Sequence, residues 1–103
     1  MKFWYFKFHG KYSKDSSNYG EGVYSGCLIP DSNRRTAKAE FLSALIEERI
    51  ILEEILDSFA LDGHELDPSD RDNDVWIDLY QQAEKLKTPI FTTLHLYDLS
   101  NEN

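Results

Sequence analysis

Three histidines, one cysteine and nineteen carboxylates are the groups in this 103-residue chain with the most chemistry to offer. A tetrahedral metal site needs spaced pairs of His or Cys. His9, His64 and His95 lie far apart in the sequence, and Cys27 has no second thiol beside it. His9 and His95 fall on one sheet face in the strand reading below, so a two-histidine site is conceivable, and a surface role is the simpler reading. Asp70-x-Asp72-x-Asp74 opens like an EF-hand loop, but that loop needs Gly at its sixth position and Glu at its twelfth. The chain has Val75 and Gln81 there. Capping and the dipole of a helix N-terminus account for the three aspartates without calcium. Gly20-Glu21-Gly22 precedes a strand, whereas a phosphate-binding loop leads into a helix. Acid–base catalysis needs a pocket and a shifted pKa, which an abundance of carboxylates does not supply. The sequence therefore assigns no catalytic residue, metal or cofactor, and points to a non-enzymatic protein.

Charge is distributed unevenly. Residues 1–40 hold seven Lys/Arg and four Asp/Glu, residues 41–103 hold four and fifteen, and the whole chain carries −8. Such a surface repels phosphate backbones and anionic lipid, so neither nucleic acid nor membrane is an expected partner. It attracts a basic protein, and it also serves solubility alone. No apolar run reaches a membrane span. The N-terminus MKFWYFKFHG lacks a cleavage site of small residues. A lone Cys27, read as a small buried hydrophobe, suits a reducing compartment, and the expected location is the cytoplasm.

The elements that position these residues follow from periodicity. Lys2 to His9 reads as a strand with Trp4, Phe6 and Phe8 toward the core and Phe3, Tyr5, Lys7 and His9 away from it. Gly10 to Gly20 is a loop, and Glu21 to Ile29 the returning strand, with Val23, Cys27 and Ile29 on one face and Tyr24 and Leu28 on the other. Pro30 ends it, and Asp31, Ser32 and Asn33 offer N-caps to a helix over about Ser32 to Glu48. Ile50 to Phe59 reads two ways. As a strand, it puts Ile50, Leu52, Glu54 and Leu56 on one face; Ile51, Leu52, Ile55, Leu56 and Phe59 also make a helical stripe continuing the first helix. A helix of that length is far above the mean, which favours the strand, but no Gly marks the break. A second helix starts at an N-cap Ser69 and turns Val75, Trp76, Leu79, Tyr80, Ala83 and Leu86 to the core. Ile90 to Tyr97 is the last strand, and residues 98–103 fray.

The expected fold is α+β: a single domain over 1–103, in the order β-β-α-β-α-β, with a four-stranded mixed sheet and both helices on one face. The other face is then open, with Tyr5, His9, Tyr24, Phe91, His95 and Tyr97 on it. An exposed aromatic patch marks an interaction site. A second candidate surface is the acidic loop Asp62, Glu65 and Asp67, since binding residues concentrate on loops. The leading expectation is a small acidic protein-binding module, of inhibitor or immunity type, for a basic partner. The alternative is a homodimer binding a small ligand at the aromatic face.

Overall fold

The computed structural model describes residues 2–31, 33–62, 74–92 and 94–99. Its elements are β1 (Lys2–Tyr12), β2 (Glu21–Ile29), α1 (Arg34–Glu47), β3 (Ile50–Asp62), α2 (Asp74–Leu86), β4 (Ile90–Phe91) and β5 (His95–Asp98). The fold is α+β, as expected, and the segment after α1 is a strand and not a longer helix. Among the described residues the sheet has five strands, in the order β3-β1-β2-β4, with β5 also paired to β2. Every pairing is antiparallel. The expected four-stranded mixed sheet is corrected on both counts. β2 and β3 do run parallel to each other, but β1 lies between them, so no parallel pair forms.

The expected placement of both helices on one face is also corrected. Phe6, Phe8, Val23, Cys27 and Ile29 are buried with Ala37, Phe41 and Leu45 of α1. Phe3 and Leu28, on the opposite face by strand alternation, are buried with Ala83 of α2, and Tyr5, Leu79 and Ile90 pack around them. The sheet is thus sandwiched between the two helices. Placing both on one face treated both connections as crossovers between parallel strands. The first, β2-α1-β3, is one; but β3 runs parallel to β2 and β4 antiparallel to it, so β3 and β4 are antiparallel and handedness does not set the side of α2.

Local chemistry sets the ends of α1. Asn33 is the N-cap: its Oδ1 accepts from the backbone N–H of Arg35 at 2.9 Å and of Thr36 at 3.3 Å. Asp31 Oδ1 in turn accepts from Asn33 N–H at 2.9 Å. Asn33→Ala should therefore cost about 1 kcal/mol, read as a lower urea midpoint; an unchanged midpoint would show that the cap contributes nothing. The helix stops without glycine because Arg49 takes a left-handed φ of 60°, a position that usually favours Gly or Asn.

β3 contains two bulges. Lys7 pairs with Asp57 and Phe8 with Ile55, which leaves Leu56 over; His9 pairs with Glu54 and Gly10 with Leu52, which leaves Glu53 over. Each extra residue inverts the strand's facing. Ile50, Leu52 and Ile55 consequently all pack against the α1 core, while Glu54 turns to the other face beside His9 and does not share a face with Leu52 as strict alternation would have it. No helix among the described residues is long and apolar enough to cross a membrane. Ser69 lies outside the described residues, as does the side-chain facing of Val75, Trp76 and Tyr80.

Candidate functional site

Among the described residues, α2 meets the second sheet face at one end, around Phe3 and Leu28. Beyond it, three strands present an aromatic cluster. His9 of β1 pairs with Tyr24 of β2, and Tyr24 pairs with His95 of β5. The His9 and Tyr24 rings stack at 4.3 Å between centroids and 13° between planes. Tyr97 joins them, 5.7 Å from His9 and 5.5 Å from Tyr24, and its hydroxyl is hydrogen-bonded to His9 Nε2. On the other side of the ring, His9 Nδ1 lies 3.9 Å from Glu54 Oε1. The imidazole is thus held between a carboxylate and a phenol and kept flat against Tyr24. Tyr24 remains 42% exposed, and His95 is exposed as well.

Two glycines let the aromatic rings lie down on the sheet. A Cβ at Gly22 would overlap the Tyr97 ring, and one at Gly26 would overlap the Tyr5 ring and hydroxyl. Thr92 locks the neighbouring backbone. Its Oγ1 accepts from Gly26 N–H at 2.8 Å and donates to Gly26 O at 3.2 Å. Burial pushes the Tyr5 hydroxyl pKa above its usual range, with a hydrogen bond to Thr92 acting the other way. Gly26→Ala should destabilise by about 1–3 kcal/mol, the usual result of overfilling a packed site. Adding Tyr5→Ala should recover part of that loss, and a denaturation cycle showing no recovery would mean that the Tyr5 ring is not what excludes a side chain at residue 26.

The positive and negative halves of the chain meet across β1 and β3. Lys7 stands opposite Asp57 and His9 opposite Glu54, and Lys11 Nζ lies 3.3 Å from Glu53 Oε1. Opposite charges facing across strands stabilise a sheet modestly. Part of the charge asymmetry that the sequence reading gave to a partner is therefore used within the fold.

Of the aromatic residues expected on this face, His9, Tyr24, His95 and Tyr97 are brought together. Tyr5 shares the face but packs against the α2 cluster. Phe91 is corrected: it pairs with Cys27, meets Phe8 at 6.2 Å edge-on, and belongs to the α1 side. Between Phe91 and His95 lie three residues, opposite only two between Cys27 and Tyr24, and the extra one inverts the facing. His9 and His95 share a face, but Tyr24 separates them by two strand spacings, about 10 Å. Among the described residues no group of three or more His, Cys, Asp or Glu is placed to hold a metal ion. Cys27 is buried in the α1 core, and burial pushes its thiol up to about 12. Asp62 ends β3 opposite Lys2, eight residues along from Glu54 and so roughly 25 Å from the aromatic cluster at the usual strand rise. Its acidic companions Glu65 and Asp67 lie outside the described residues.

The sequence reading missed the cavity beyond Tyr12, about 560 Å³ between the Ser13–Gly20 loop and the end of β5. Its only signals were Lys11, Lys14 and Tyr19, scattered around a loop. By contrast, the depression beside the aromatic cluster, lined by Tyr5, Lys7, Tyr24 and His95, holds about 200 Å³, below the roughly 300–1,000 Å³ of small-molecule sites. Comparison with protein-family models, curated proteins and solved structures finds no match.

Proposed function

We propose that this chain is a small, non-enzymatic protein-binding module that docks a basic partner on the open end of the second sheet face, in the manner of an inhibitor or immunity protein. The observation that carries the reading is the His9–Tyr24–Tyr97 stack, in which His9 and Tyr97 are half-buried and Tyr24 is exposed, with exposed His95 beside it. Tyrosines held rigid by stacking offer a large contact area at little entropic cost, and interface hot spots are rich in them. Tyr24 also presents a ring to an arginine guanidinium, and Glu54, 61% exposed on the far side of His9 and two strand spacings from Tyr24, is placed to pair with a second basic group. A net charge of −8 favours a basic partner over a second acidic copy of the chain. The acidic stretch from Asp62 through Glu65 and Asp67 acts in this scheme at a distance, on the association rate and its salt dependence. The small depression on the same face disfavours the alternative of a homodimer with a small ligand bound there.

The test is a photo-crosslinking amino acid placed at Tyr24 in the producing cell. It should trap one basic protein, and the same probe at exposed Lys38 of α1 should not. With that partner purified, Tyr24→Ala combined with His95→Ala should weaken binding by at least about tenfold, the effect of removing one hot spot, while circular dichroism shows the variant still folded at the assay temperature. A partner that is trapped equally from Lys38, or that binds the double variant normally, would overturn the assignment.

A further inference from the structure

We infer that the cavity at the far end of the sheet is a binding site for a small apolar molecule carrying a single negative charge, such as an aromatic carboxylate or sulfonate. This inference is independent of the partner surface. At about 560 Å³ the cavity is within the range of small-molecule sites, and the 200 Å³ depression is not. Its walls combine an apolar and aromatic lining with a few charges, as such sites do. Ile51 and Tyr19 supply exposed apolar surface, 46% and 61% accessible, and Tyr12 is buried behind them.

The loop that forms one wall is built to stand there. Ser13 N–H donates to Arg49 O at 2.8 Å, Ser16 N–H to Ser13 O at 3.0 Å, and Tyr19 N–H to Ser16 O at 3.1 Å. Successive turns therefore carry Tyr19 to the rim. Gly20 then takes a φ of 99°, with nothing within 4 Å of where a Cβ would be. The opposite wall is tied down by Leu99 N–H, which donates to Gly20 O at 3.0 Å.

Charge chooses the ligand class. The chain as a whole is strongly acidic, yet the cavity is lined by Lys11 and Lys14 against one carboxylate, Asp98. Acids elsewhere on the surface are screened beyond about 10 Å at 0.1 M salt; of the nearer ones Glu48 and Glu21 act on Tyr12, while Lys11 and Lys14 line the cavity itself. Lys11 is shared with Glu53 at 3.3 Å, and Asp98 opposes accumulated negative charge. Together these admit a monoanion and reject a polyanion such as a nucleotide.

The experiment uses two fluorescent probes with the same apolar body, 8-anilino-1-naphthalenesulfonate and its uncharged counterpart N-phenyl-1-naphthylamine, with the full chain in its native state. The sulfonate should bind saturably at one site and more tightly than the uncharged probe, and amide shifts should concentrate at residues 11–20 and around Ile51. Lys11→Ala with Lys14→Ala should weaken the sulfonate by about fivefold, the order expected of two partly exposed charge contacts, and leave the uncharged probe unchanged. Ile51→Ala should weaken both. Thermal melts of each variant show whether it remains folded. Non-saturable binding, shifts centred elsewhere, or equal loss of both probes in the lysine variant would overturn the assignment.

Discussion

Phe41→Ala should lower the free energy of unfolding by about 3–5 kcal/mol, the cost of emptying a large aromatic site in a packed core. Phe41 is fully buried on the inner face of α1. Its ring stacks on Phe6 at 4.8 Å and 8°, and meets Phe8 at 5.4 Å and 59°. The first geometry is an offset stack and the second a tilted contact, and each adds something beyond area alone. Phe6 and Phe8 are two residues apart on β1, so both project to the same face, and the truncation opens a hole beneath the middle of that strand. For a domain whose whole stability is about 5–15 kcal/mol, the variant loses a large share of it. Urea denaturation followed by circular dichroism measures the loss. Leu42→Ala, one residue along and 38% exposed, should shift the midpoint far less. Similar losses at residues 41 and 42 would show that α1 does not face the sheet as described.

Leu28→Ala is the sharper test of the architecture, with an expected loss of about 2–5 kcal/mol. Leu28 is fully buried with Phe3 and Ala83, and Ile90 and Leu79 close the cluster around it. Had both helices packed on one face, Leu28 would lie on the open side of the sheet, where a substitution changes stability by only about half a kcal/mol. The two architectures therefore differ by several-fold in a single measurement. Among the described residues α2 meets the sheet through this small cluster, and its amides should exchange with solvent before those of α1. A loss under 1 kcal/mol, or equal protection of the two helices in the variant, would return α2 to the other face.

The candidate site was legible in its residue types and less so in its membership. Alternation on β1 and β2 put His9 and Tyr24 on one face and Phe6, Phe8, Val23, Cys27 and Ile29 on the other, and the structure keeps that division. It works because β1 and β2 pair without a slip from Trp4 to Lys11. The same logic failed at Phe91, where an extra residue opposite Ser25 and Gly26 inverts the facing. The cavity by Lys11 and Lys14 could not be found from spacing, since its walls come from a loop, an edge strand and the end of β5.

Outside Ile50–Phe59, which reads two ways, and Ile90–Tyr97, which holds two short strands where one was expected, the sequence by itself determined the kinds and order of the elements, for reasons that are local. Proline and the Asp31–Asn33 caps start α1, aromatic density makes β1, and alternation sets the facing of β1 and β2. The segment Ile50–Phe59 shows why local pattern has a limit. Its core-side positions are 50, 52, 55, 58 and 60, spaced by two, three, three and two residues. Two bulges stretch the strand period toward that of a helix, so the sequence supports both readings. Only the pairing with β1, between residues from 38 (Tyr12 and Ile50) to 54 (Tyr5 and Phe59) positions apart, selects the strand. The side of the sheet that α2 takes was decided in the same way. An apolar stripe is equally satisfied on either face, and because β3 and β4 run antiparallel no crossover rule makes the choice; the Phe3–Leu28 surface is what receives α2. Tertiary structure also gave the chain's divided charge a place, setting Lys7 and Lys11 against Asp57 and Glu53, because opposite charges distant in sequence gain from proximity only once the strands that carry them are neighbours.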